Sequence, residues 1–156
     1  MASHGAPTIF VDGEGARVVI VASRWHTVIM DGLIAGAQAA LAEAKVTDVT
    51  VVRAPGSFEL PIICQAYARQ GFDAVIALGV IIRGGTPHFE YVSAAATDGL
   101  SRVALDTGVP VGFGLLTTDD EQQALDRAGL ADSREDKGRE AVEAALSTWN
   151  VLRTLG

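Results

Sequence analysis

The chemistry available to this chain concentrates in Gly79-Val80-Ile81-Ile82-Arg83-Gly84-Gly85-Thr86-Pro87-His88-Phe89-Glu90-Tyr91-Val92. Gly84 and Gly85 let the backbone turn sharply and approach a ligand, Thr86 offers a hydroxyl, and Pro87 stiffens the exit. His88 stands at the foot of the next helix. Histidine exchanges protons near neutral pH, so His88 reads equally as a general acid/base and as a hydrogen-bonded cap. Trp25, in Ser23-Arg24-Trp25-His26, has a flat face on which a heteroaromatic ring can stack, although core and interface aromatics look the same in sequence. Ser57 and Glu59 flank a helix start, where free amides, a hydroxyl and a carboxylate can read an amide-like ring or a polyol; the same residue types also cap helices. Arg127 is by default a solvated or salt-bridged helix residue, yet a guanidinium also grips phosphate bidentately. His26 has a weaker claim, and His4 reads as a solvated tail residue. Cys64, on an apolar helical face, reads as a small buried hydrophobe rather than a nucleophile.

These groups sit beyond the ends of apolar runs that read as strands. Ala74 to Ile82 is nearly all apolar and rich in Val and Ile, as in a strand covered on both faces. Arg17 to Ser23, Val49 to Ala54 and Val111 to Thr117 supply three more. Between them fall helices from about Thr27 to Ala44, with Ile29, Leu33, Ala37 and Leu41 on one stripe, from Ser57 to Gln70, and from Phe89 to Asp106. Pro61 is tolerated only because it lies near the first turn of its helix. A short helix over Glu121 to Ala128 and a final one over Lys137 to Leu152 follow, the latter turning Val142, Ala145, Trp149 and Leu152 inward. Four alternations of strand and helix predict an α/β domain with a parallel sheet, right-handed crossovers and helices on both faces. Ligands of such sheets bind beyond the carboxyl ends of the strands, where Ser23 to His26, Ala54 to Glu59, Ile82 to His88 and Phe113 to Thr118 converge.

The chain's 156 residues suit one domain, residues 16–156, preceded by a loosely held segment, 1–15, in which Thr8-Ile9-Phe10-Val11 reads as a strand for another subunit. A formal charge of −7 disfavours nucleic acid and anionic membranes as partners. The longest apolar run falls far short of the roughly 20 residues that span a bilayer, and no signal peptide is evident, so a cytoplasmic protein is expected. A hydrophobic fraction of 49% is high for a monomer and points to a homo-oligomer. P-loop, dinucleotide-binding, nucleophile-elbow and metal-cluster motifs are all missing, so no metal is expected.

The glycine turn resembles that of the lumazine synthase family, Val-Ile-Arg-Gly-x-Thr-Pro-His-Phe-[Asp/Glu]-Tyr-Val. Pro55-Gly56-Ser57-Phe58-Glu59-Leu60-Pro61, Phe113-Gly114-Leu115-Leu116-Thr117-Thr118 and Gln123-Ala124-Leu125-Asp126-Arg127-Ala128-Gly129 resemble further family stretches in the family's order. The resemblance implies a flavodoxin-like three-layer sandwich with strand order 2-1-3-4. It implies condensation of 5-amino-6-(D-ribitylamino)uracil with 3,4-dihydroxy-2-butanone 4-phosphate, without a cofactor. Trp25 would stack the pyrimidine; Ser57, Phe58 and Glu59 with Val80, Ile81 and Ile82 would line its ribityl side; Phe113 would close the pocket. Gly85, Thr86 and Arg127 would hold the phosphate, and His88 would move protons. Lys137 matches a basic residue that the family keeps near the site, or is a surface charge. A homopentamer, or a pair of them, with sites shared between neighbours is implied, and riboflavin synthase is a candidate partner. Shell-building members carry a Gly-Thr-Lys-Ala-Gly-Asn-like turn before the last helix, whereas this chain has the longer, acidic stretch from Gly129 to Asp136. Two other classes stay open at this point: a flavodoxin-like redox protein, and a flavin-storage shell that binds without turnover.

Overall fold

The runs rich in Val and Ile form β1 (Arg17–Ser23), β2 (Asp48–Ala54), β3 (Ala74–Ile82) and β4 (Val111–Thr118) in a computed structural model that describes Gly5 and residues 11–155. Helices α1 (Thr27–Glu43), α2 (Leu60–Ala68) and α3 (His88–Thr107) link them, and α4 (Glu121–Leu125) and α5 (Lys137–Leu152) follow β4. The strands pair in parallel in the order β2-β1-β3-β4, the flavodoxin-like α/β arrangement expected from the alternation and the family resemblance. His4 and Thr8-Ile9-Phe10 lie outside the described residues, so the strand expected there is not described. Val11 packs against the core, and the Gly13 N–H donates to the Ala44 carbonyl at 2.7 Å.

The period of two along a strand divides the core. Val18, Ile20, Ala22, Ile76, Leu78 and Val80 meet α1 and α5, while Val19, Val21, Val75, Ala77 and Ile81 meet α2 and α3. Strands β1 and β3 are therefore buried on both faces, which is why they read as unbroken apolar runs. The α1 stripe of Ile29, Leu33, Ala37 and Leu41 is buried as its spacing predicts. Each such Leu or Ile contributes roughly 1.5–3 kcal/mol on leaving water. Gly138 lets α5 close on α1: a Cβ there would lie 2.1 Å from the Leu33 carbonyl oxygen, so any side chain would force the two helices apart.

Several local expectations are corrected. The helix expected from Ser57 to Gln70 divides into a 3-10 turn, Ser57–Glu59, and α2, with Pro61 in its first turn. Ser57 caps neither, since the turn's N-cap is the extended Gly56 and the Ser57 hydroxyl makes no cap bond. Leu152 is 40% exposed, because it lies one turn beyond Trp149, the last α5 residue packed on the core. Lys137 is buried, not a surface charge. The acidic stretch before α5 is tied down: Gly129 N–H donates to Glu135 O at 2.9 Å, Leu130 N–H to Ser133 Oγ at 2.9 Å, and Glu135 N–H to Asp126 O at 3.0 Å.

Cys64 faces the core from α2, and burial pushes its thiol pKa up to about 12. The thiolate is the reacting form, so a thiol reagent should leave the native protein unlabelled at pH 8 and label it fully once unfolded. Stoichiometric labelling of the native protein at the unfolded rate would contradict this burial.

Candidate active site

At the carboxyl ends of β1, β2 and β3 a cavity of ≈ 630 Å³ opens, within the size range of small-molecule sites. Three loops build it. The segment after β1 presents Trp25 and His26, the 3-10 turn after β2 presents Gly56, Ser57, Phe58 and Glu59, and the end of β3 with the first turns of α3 presents Val80, Ile81, Ile82, His88, Tyr91 and Val92. Each loop is short because the strand and helix it joins are neighbours in the same layer pair. Most of the wall is apolar, and Trp25 and Phe58 stand 65% and 62% exposed, an unusual state for such side chains unless something covers them.

Polar groups are few and unengaged. The Ser57 hydroxyl is buried and has no hydrogen-bond partner among the described residues, which costs about 1–3 kcal/mol unless a ligand supplies one. Gly79 makes its room, since a Cβ there would sit 2.8 Å from Ser57 Oγ. The His88 side chain lines the cavity from the first residue of α3, and α3 has no side-chain cap bond. His26 holds a left-handed backbone, φ 61 and ψ 68, which is uncommon without glycine. Such strain concentrates at ligand sites. His26, Tyr91 and Val92 line the cavity although the sequence reading gave His26 a lesser place and Tyr91 and Val92 none. A period-3.6 reading of α3, in which Val92 and Tyr91 fall one turn beyond His88, carries the signal that would have found them.

Not every candidate residue meets in this cavity. Gly85 and Thr86 lie exposed in the turn above it, and a Cβ on Gly84 or Gly85 would meet nothing within 4 Å. Phe113 pairs with Ala77, well below the strand ends, and is 49% exposed. Arg127 and Lys137 form a separate cluster behind β4. The Arg127 guanidinium donates to the Gln123 carbonyl at 2.8 Å and lies 3.7 Å from Glu135, while Lys137 Nζ lies 2.8 Å from Glu135 and 3.1 Å from Glu140. Burial pulls the Lys137 pKa down, but the two carboxylates outweigh it and leave that pKa raised, so the residue stays charged. One chain thus brings Trp25, the Ser57 hydroxyl and His88 to one cavity and holds Arg127 and Lys137 elsewhere, ion-paired with Glu135 and Glu140.

The 6,7-dimethyl-8-ribityllumazine synthase family model matches residues 15–153. A 6,7-dimethyl-8-ribityllumazine synthase of Kineococcus radiotolerans is 63% identical over 153 residues, covering 98% of this chain and 95% of that protein. Its counterpart in Clavibacter sepedonicus is 62% identical over 158 residues, covering 99% and 98%. That of Streptomyces coelicolor is 54% identical over 156 residues, covering 99% and 97%. With a family match over nearly its whole length, a parallel sheet in the order 2-1-3-4 and an aromatic cavity at the strand ends, the chain belongs to the 6,7-dimethyl-8-ribityllumazine synthase family.

Proposed function

We propose that this protein condenses 5-amino-6-(D-ribitylamino)uracil with 3,4-dihydroxy-2-butanone 4-phosphate, giving 6,7-dimethyl-8-ribityllumazine, phosphate and water. The observation that carries the reading is the meeting of Trp25, the unpartnered Ser57 hydroxyl and His88 around one apolar cavity. Trp25 stacks the pyrimidine, the Ser57 to Glu59 turn takes the polar ribityl side, and Val80, Ile81 and Ile82 form the floor. The amine attacks the ketone, water leaves as the Schiff base forms, phosphate is eliminated, and ring closure expels a second water. Every step is an addition, an elimination or a proton transfer, so positioning and one acid/base supply the catalysis. His88 moves the protons, while Gly85, Thr86, Arg127 and Lys137 form the phosphate end. Incubating the purified protein with both substrates should yield lumazine absorbance and one phosphate per product. A yellow protein that forms no lumazine but is reversibly reduced would favour the redox reading instead.

The separation of Phe113, Arg127 and Lys137 from the cavity is accounted for if a neighbouring subunit brings its own copies to it. We take the assembly to be a pentamer or a pair of pentamers in the cytoplasm. Residues 16–156 form its single domain, the 1–15 segment adds a strand to a neighbour, and riboflavin synthase is a transient partner. The hydrogen-bonded Gly129 to Asp136 turn should keep the last helix from closed-shell contacts. Light scattering should report a mass near five or ten chains of 16.2 kDa; a megadalton particle would refute the assignment.

A further inference from the structure

Arg83 follows the last residue of β3 and begins the glycine turn, and its guanidinium is engaged on three sides. Its Nε donates to Asp119 at 3.0 Å, just beyond the end of β4, and its Nη1 donates to Glu90 in the first turn of α3. Its guanidinium carbon stands 4.4 Å over the Phe89 ring. The backbone continues the same tie, with the Arg83 N–H donating to Thr118 O at 2.8 Å. The turn between is otherwise slack: Gly84 and Gly85 touch nothing that a side chain would meet, and α3 starts without a side-chain cap. Both contacts to α3 fall on Phe89 and Glu90, the two residues that follow His88. Isolated surface ion pairs hold little, but a forked guanidinium between two carboxylates and an aromatic face has the geometry that does hold.

We propose that Arg83 is a positioning residue: by clamping Phe89 and Glu90 to the ends of β3 and β4, it fixes the first turn of α3 and so aims the His88 imidazole into the cavity. The inference rests on the acid/base role given to His88 above. Arg83 itself does not line the cavity and need not touch substrate. Its effect should therefore appear in turnover, pass through His88, and depend on the fork rather than on charge alone. A misaim of about 1 Å at a reacting group costs up to roughly 10²-fold in rate.

The test is a double-mutant cycle in the fully assembled enzyme. Arg83→Met keeps the aliphatic stem over Phe89 but removes the fork, and should lower kcat about 10- to 100-fold with KM for each substrate within about threefold. In a His88→Ala background the same substitution should change the residual rate less than about twofold, because no imidazole remains to aim. Arg83→Lys, which reaches only one carboxylate at a time, should stay well below wild-type kcat. Equal losses in both backgrounds, a rise in KM for the butanone phosphate with kcat unchanged, or full activity in either Arg83 variant would overturn the proposal. If Arg83→Met does not assemble, Glu90→Gln in the same two backgrounds reads the same coupling with the same criteria. Wild-type protein that forms no lumazine would instead sink the function itself, whereas an active wild type with an additive cycle sinks only the role of Arg83.

Discussion

Replacement of His88 by alanine should leave a protein that folds and assembles normally yet turns over roughly 10²- to 10⁴-fold more slowly, the usual share of a positioned acid/base. The structure separates the two effects. His88 is exposed and its side chain makes no hydrogen bond among the described residues, so little stability depends on it. It nonetheless lines the same cavity as Trp25 and the Ser57 turn. Surface changes away from special features shift stability by less than about 0.5 kcal/mol, so melting should barely move. The measurement is steady-state lumazine formation at saturating concentrations of both substrates. Full activity would remove His88 from the mechanism. A loss below tenfold would assign most of the rate enhancement to positioning by the cavity walls, since holding two reactants together already supplies a large factor without any proton donor.

Strands and helices were legible because two periodicities do not overlap, whereas the strand order came from the family resemblance. Central strands buried on both faces are mostly apolar, so Ala74 to Ile82 announces itself, and the α1 stripe at Ile29, Leu33, Ala37 and Leu41 follows from 3.6 residues per turn. What failed were ends and partnerships. Leu152 keeps the stripe's spacing after the core surface has run out, and spacing carries no information on where a neighbour stops. Ser57 has an ideal capping side chain, but capping needs an extended residue at that position, and the extended one is Gly56, which leaves the Ser57 hydroxyl buried and unpaired. Lys137 shows why charge alone is a poor guide to exposure. It is buried with Glu135 and Glu140 paired to it, and although both are near it in sequence, nothing in their spacing says that α5 turns this end towards the core.

The second large effect concerns where one site ends and the next begins. Phe113 and Arg127 lie away from the cavity in one chain, which suits a head-to-tail ring in which each interface joins two different surfaces. Under that proposal Trp25, Ser57 and His88 come from one chain, and Phe113 and Arg127 from the next. Consider His88→Ala and Arg127→Ala chains, each nearly inactive alone, co-expressed in equal amounts and assembled at random. At a given interface the first chain keeps its histidine with probability one half, and the second keeps its arginine with the same probability. About a quarter of the sites in such a heterologous ring are then fully wild-type, and activity per site should recover towards that fraction. A site built within one chain has no wild-type copy in any mixture, because every chain lacks one of the two groups. Native mass spectrometry must first show that the rings are mixed. In rings so verified, recovery to about a quarter of wild-type activity supports the shared site, and activity no higher than that of either parent variant rules it out.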